Sequence, residues 1–168
     1  MSTAPLAGPA AAAAVATAAE IVAACGRASR ASWPGGGGAV AQADTLRERA
    51  TELADADVDA YRAASAALRE RSGSGDAALG VALARAAEVP LAIVRTGADV
   101  AMLAAEVAER GDPGVRADAA AACALAAGAA QAAAHLVAVN LAVTPDDPWL
   151  AEADALVRDA ASAHARLA

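Results

Sequence analysis

Apolar residues recur at steps of three and four along almost the whole chain. No stretch alternates with a period of two in β-branched or aromatic residues. The pattern predicts helices throughout and no strands. A first helix runs from about Pro9 to Cys25 and is apolar nearly all round, which implies central burial, with Gly26 available to close it. Residues 27–38, containing "SWPGGGG", read as a flexible Gly-rich connector. A second helix spans about Ala39 to Arg71. Its stripe is Leu46, Ala50, Leu53, Asp57, Tyr61, Ala64 and Leu68, one helical face with a carboxylate in its middle. "SGSG" at 72–75 ends it. A third helix, about Asp76 to Arg110, contains Pro90, which removes a backbone donor and crowds the preceding turn, so a kink or break is expected there.

"GDPG" at 111–114 supplies a turn in which Asp112 caps the next helix and Pro113 takes its first position. That fourth helix reaches about Leu141. "TPDDPW" repeats the device, with Asp147 as cap and Pro148 opening a fifth helix. The expected fold is all-α: an antiparallel bundle of five to six helices with short connections, in one domain over residues 1–168.

Composition changes this picture in two ways. Among the 168 residues Ala dominates, Arg supplies all 13 positive charges, and Lys and Phe are absent. Part of the alanine excess reflects GC-rich coding, but it leaves a core of Leu, Val, Ile and Ala methyls with helices able to approach closely. The net charge of −7, without a basic tract, argues against nucleic acid and anionic membrane as partners. Cys25 and Cys123 lie in Ala-rich runs and read as buried, reduced thiols. Residues 4–19 are apolar but lack a basic flank. Residues 119–145 lack charge, yet Gln131, His135 and Asn140 would be costly in lipid. A soluble, cytoplasmic bundle is the expectation.

Four features bear on chemistry. Asp57 lies on the apolar stripe and faces either the core, a cleft or, if the stripe drifts, solvent beside Asp55 and Asp59. Asp118, about two turns into the fourth helix, is either a site carboxylate at a bundle end or an acid favoured by the helix dipole. Asn140 follows Asp118 by 22 residues. On one straight helix the two share a face but stand about 33 Å apart, so they serve one site only across two subunits. His135 and His164 read as structural or exposed. No Glu-x-x-His pair and no Cys/His cluster has metal-ligand spacing, so no metal is expected. The glycine run at 35–38 is either an anion-cradling loop or a joint.

Three stretches in order, "DVDAY" (57–61), "ARAAEVPLAI" (84–93) and "GDPGVRADAAAACALAAGAAQAAAHLVAVNL" (111–141), together resemble the cyclodeaminase/cyclohydrolase family of folate metabolism. They are similar to its D-x-x-A-F, A-x-x-V-P-L and G-(N/D)-P…S-D…N-V-x-x-N-L segments. That family also carries a P-G-G-G-S loop well upstream of the first segment, ahead of an apolar helix. Pro34 precedes Tyr61 by only 27 residues, whereas Pro5 precedes it by 56 and leads into the apolar helix. The counterpart is therefore "PLAGP" at 5–9, with two of three glycines and the serine replaced. Ala117 stands for the family's serine, Leu136 for its first asparagine, and Asn140 keeps the second.

The resemblance implies hydrolysis of methenyltetrahydrofolate or cyclisation of formiminotetrahydrofolate with release of ammonia, in a homodimer, with no cofactor besides the tetrahydrofolate substrate. It implies Asp57 or Asp118 as the catalytic carboxylate. Pro5, Gly8 and Asn140 would bind substrate, and Arg27, Arg30 and Arg116 would meet the glutamate tail. The departures in "PLAGP", Ala117 and Leu136 leave a second reading, a non-catalytic helical homodimer that keeps the fold.

Overall fold

The computed structural model describes residues 6–69, 76–142 and 144–167. Five α-helices occur among the described residues: α1 (Ala7–Ala28), α2 (Gly36–Arg69), α3 (Asp76–Arg110), α4 (Arg116–Asn140) and α5 (Pro148–Ala165). Short 3-10 turns, Ser29–Ala31 and Pro113–Val115, precede α2 and α4. No strand occurs among the described residues. Helices α1, α3 and α5 run one way and α2 and α4 the other. The end of α1 (Gly26) lies against the start of α2 (Val40), and the start of α3 (Ala86) against the end of α4 (Asn140).

Helices α1, α3 and α4 form the centre. Val15 and Val22 of α1, Leu91, Ile93, Val94, Val100 and Val107 of α3, and Val137 of α4 are almost wholly buried among alanines. Small residues permit this. A Cβ on Gly97 would come 3.1 Å from the Ala130 methyl, 3.3 Å from the Ala126 carbonyl and 3.3 Å from Val15, so three helices converge there without room for another carbon. Cys25 and Cys123 are buried free thiols, as the sequence predicts, and burial pushes both up from the ordinary thiol range.

The expected caps form: Asp112 Oδ1 accepts from Gly114 N at 2.8 Å and Asp147 Oδ1 from Trp149 N at 2.9 Å. Helix α3 continues through Pro90, so the break allowed by the sequence does not occur. Three other expectations are corrected. Gly26 does not close α1; it is buried where α1 crosses α2, and a Cβ there would press on Val40 at 3.0 Å. The connector expected over 27–38 shrinks to residues 32–35, because α1 and the 3-10 turn take 27–31 and Gly36–Gly38 begin α2. Two glycines of the run supply close approach: a Cβ on Gly36 would lie 2.9 Å from the Gly26 carbonyl, and one on Gly35 would strike the Trp33 ring, whereas Cβ atoms on Gly37 and Gly38 would meet nothing within 4 Å. Asp118 lies in the first turn of α4, not two turns in, because Pro113–Val115 is 3-10.

Trp33 is buried beneath Arg110, whose guanidinium carbon stands 5.6 Å from the ring centroid. At the same end Ser29 is fully buried; its Oγ donates to Cys25 O and accepts from Asp112 N, both at 2.8 Å. These contacts tie the ends of α1 and α3 together.

Two segments, Ala7–Ala31 and Pro113–Asn140, are long and apolar enough to cross a membrane by length and composition. About half of each is buried inside the bundle. Their uncovered sides share a seam, carrying Ala13, Thr17 and Ala24 on α1 and Ala121, Leu125 and Gly128 on α4.

Candidate functional site

A cavity of about 330 Å³ opens at the end of the bundle where α1 begins and α4 finishes. Its walls come from four helices: Leu6, Ala7 and Gly8 at the start of α1, and Asp57, Tyr61, Ala64 and Ser65 on α2. Ala86 and Pro90 of α3, with Leu136, Val139 and Asn140 of α4, complete it. All three sequence stretches that carry the family resemblance therefore meet at one place.

Asp57 occupies the stripe position predicted for it, and the stripe does not drift into solvent: the residue is only 7% exposed. Burial raises its carboxyl above the ordinary 3.8, and no neighbouring charge offsets this. Its carboxylate lies against Gly8. A Cβ on Gly8 would stand 2.6 Å from Asp57 Oδ1 and closer still to Cγ and Oδ2. Gly8 is the second residue of α1, whose first-turn N–H groups have no intrahelical acceptor. The positive end of that helix faces the carboxylate. Of the glycines in the family's loop, the one retained is the one whose side chain would occupy the carboxylate's position. Its φ is not positive, so its role here is space rather than backbone freedom.

Asn140 joins the other two stretches. Its Nδ2 donates to the Ala86 carbonyl at 2.6 Å. In a regular helix that carbonyl accepts from the N–H of residue 90, and residue 90 is proline. The "VPL" and "NL" stretches are thus held by one hydrogen bond across α3 and α4.

The remaining predicted site residues lie elsewhere. Asp118 is exposed and borders a shallow groove with Ile21, Cys25 and Val115 at the opposite end of the bundle. Arg27 and Arg30 follow Gly8 by the length of α1, and Arg116 precedes Asn140 by the length of α4, so all three also belong to that far end. They are exposed, and none lines the cavity. Within one chain Asp57 and Asp118 do not share a site, and the three arginines do not meet Asp57. Pro5 lies outside the described residues, as does the "SGSG" turn. Among the described residues no three His, Cys, Asp or Glu side chains gather as a metal site. His135 and His164 are exposed.

Tyr61 and Ser65 are hydroxyls that sequence reasoning did not place in the site, although Tyr61 stood on the stripe; spacing of four residues from Asp57 through Tyr61 to Ser65 was the available signal. Leu6 and Leu136 line the cavity without filling it. Chemically, the cavity presents one desolvated carboxylate, two hydroxyls and one carboxamide on an apolar lining. That donor set suits a cationic, N–H-bearing group of small size.

A crystal structure of formiminotetrahydrofolate cyclodeaminase from Thermotoga maritima superposes with a TM-score of 0.84 at 21% identity, covering 97% of this chain and 87% of that one, which shows a shared fold. No curated protein matches the sequence. The family model for formiminotransferase-cyclodeaminase matches residues 1–159, and the chain belongs to that family.

Proposed function

We propose that the cavity binds the one-carbon end of a tetrahydrofolate derivative and that Asp57 is its catalytic carboxylate. The observation that carries this is a buried carboxylate, its pKa raised by burial, facing an otherwise neutral cavity where the three family stretches meet. Formimino and methenyl folates both hold the one-carbon unit as a delocalised amidine-type cation. A carboxylate in an apolar setting stabilises such a cation far better than one in water.

In the cyclodeaminase reaction, N10 of the folate attacks the formimino carbon and its proton must leave while the departing nitrogen gains one. A single carboxylate with a raised pKa performs both transfers: it accepts the N10 proton and returns it to the amino group, which leaves as ammonia. In the cyclohydrolase reaction the same group takes a proton from water as it adds to the methenyl carbon. No cofactor enters either step. A cavity of about 330 Å³ suits a fused ring system and leaves the glutamate tail outside.

The assay is absorbance-monitored turnover of formiminotetrahydrofolate and methenyltetrahydrofolate by the natural protein, Asp57→Asn and Asp118→Asn. Turnover lost only in Asp57→Asn supports the assignment; an active Asp57→Asn refutes it. Leu136, apolar where the family pattern has asparagine, favours the second reading, a helical scaffold without catalysis, and no turnover by the natural protein would select it.

A homodimer is proposed through the outer α1–α4 seam. Exposed Ala13, Ala24, Ala121, Leu125 and Gly128 give it a small, apolar surface. A cytoplasmic location is proposed with this substrate class.

A further inference from the structure

We propose that Pro90 is a positioning residue: by withholding an N–H from the Ala86 carbonyl, it fixes the orientation of the Asn140 carboxamide at the cavity wall. A carbonyl left without a donor inside a protein is costly, and Ala86 O is such a group once residue 90 is proline. Asn140 Nδ2 fills the place of the missing N–H at 2.6 Å. The reversed carboxamide would set Oδ1 against the carbonyl oxygen, so the orientation is fixed by charge as well as shape.

The consequence falls on Oδ1. It receives no hydrogen bond from any described residue, and among those residues no side-chain oxygen or nitrogen is both fully buried and unpartnered. Oδ1 therefore opens onto the cavity or its mouth and is held there as an acceptor. With Asp57 on the α2 wall, the cavity offers two fixed acceptors from different helices. A ligand that donates an N–H towards α4 while carrying positive charge towards α2 satisfies both. One that presents an acceptor to Asn140 is turned away, because the carboxamide cannot flip without abandoning Ala86. Only the identity of the ligand rests on the folate reading; the clamp itself does not.

The test has two arms. In the ligand-free protein, Asn140→Ala is expected to raise the unfolding equilibrium constant about ten-fold, but only about two-fold in a Pro90→Ala background, where residue 90 can donate to Ala86 O. In ¹⁵N–¹H spectra the Asn140 side-chain amide is protected from solvent exchange, and Pro90→Ala removes that protection. Equal penalties in both backgrounds, or an amide that exchanges freely in the natural protein, overturn the clamp.

In the second arm, Pro90→Ala raises KM for formiminotetrahydrofolate about five-fold with kcat within about two-fold, the worth of one neutral hydrogen bond. An unchanged KM overturns the positioning role. If the natural protein neither binds nor converts either folate, the proposed function falls and the ligand half of this proposal falls with it, while the first arm still decides the clamp.

Discussion

Gly8→Ala is the sharpest test of the site, because a glycine-to-alanine change inside a helix ordinarily stabilises. Without tertiary contact the expected gain is about 0.5–1 kcal/mol. Here the added methyl would stand 2.6 Å from Asp57 Oδ1 and closer to Cγ and Oδ2, where ordinary contact begins near 3.4 Å. The carboxylate must then retreat by about 1 Å, and overpacking of that order costs about 1–3 kcal/mol. Subtracting the propensity gain, which is small in a first turn, leaves a net loss of about 1–2 kcal/mol. For a chain of this length that lowers Tm by about 2–4 °C per kcal/mol.

Urea denaturation of four proteins separates the terms: natural, Gly8→Ala, Asp57→Ala and the double variant. In the Asp57→Ala background the methyl meets no carboxylate, so Gly8→Ala should be neutral or stabilising, giving a coupling of about 2 kcal/mol. Folate turnover by Gly8→Ala should fall with the displaced carboxylate. A Gly8→Ala protein that is more stable and fully active would refute the proposed contact between α1 and Asp57.

Asp57 has a raised carboxyl pKa in the folded protein, so its contribution is present below the ordinary 3.8 and is lost as pH rises through the folded value. Asp57→Asn should therefore gain stability relative to the natural protein at neutral pH, read from denaturation midpoints at pH 4 and pH 7. Glu152, bidentate to Arg95 at 2.6 and 2.8 Å, has its pKa lowered by that hydrogen bond, and its contribution is present above the ordinary 4.5 and lost as pH falls through the folded value. The pair is about 40% exposed, so Glu152→Gln should cost no more than about 1 kcal/mol in neutral-pH denaturation. Ser29→Ala should cost about 1–3 kcal/mol by denaturation, because it removes the acceptor of the Asp112 N–H at a fully buried position. Gly128→Arg should leave the monomer folded, since nothing lies within 4 Å of a Cβ there, and should abolish the proposed dimer in sedimentation.

What the sequence made legible follows from which forces are local. Helix type and the Asp112 and Asp147 caps depend on neighbours within a turn or two, and spacing alone reveals them; spacing sets Asp57 on the apolar stripe but leaves its burial open, because that burial depends on packing against α1. The resemblance gives Arg27, Arg30 and Arg116 one substrate with Asp57 or Asp118, and motif order says nothing of which bundle end each residue occupies. Only the lengths of α1 and α4, traversed in opposite directions, separate them. The glycines are a second case of contacts between distant parts of the chain. In sequence "PGGGG" looks pliant and "PLAGP" looks degraded, yet Gly36 is needed where α1 and α2 nearly touch, and Gly8 where α1 meets a carboxylate nearly fifty residues on.

Pro90 and Asn140 show the same limit from the other side. One reads as a helix defect and the other as a ligand residue until the Ala86 carbonyl joins them. A proline inside a helix creates a vacancy whose occupant sequence cannot name, because the donor comes from 50 residues further along the chain. The family's separate motifs are thus parts of one arrangement. Asp57 requires Gly8, Asn140 requires Pro90, and the cavity exists where those two dependencies face each other. Substituting either partner of a pair should therefore perturb the site through the other, which is why both tests are built as double-variant cycles rather than single losses.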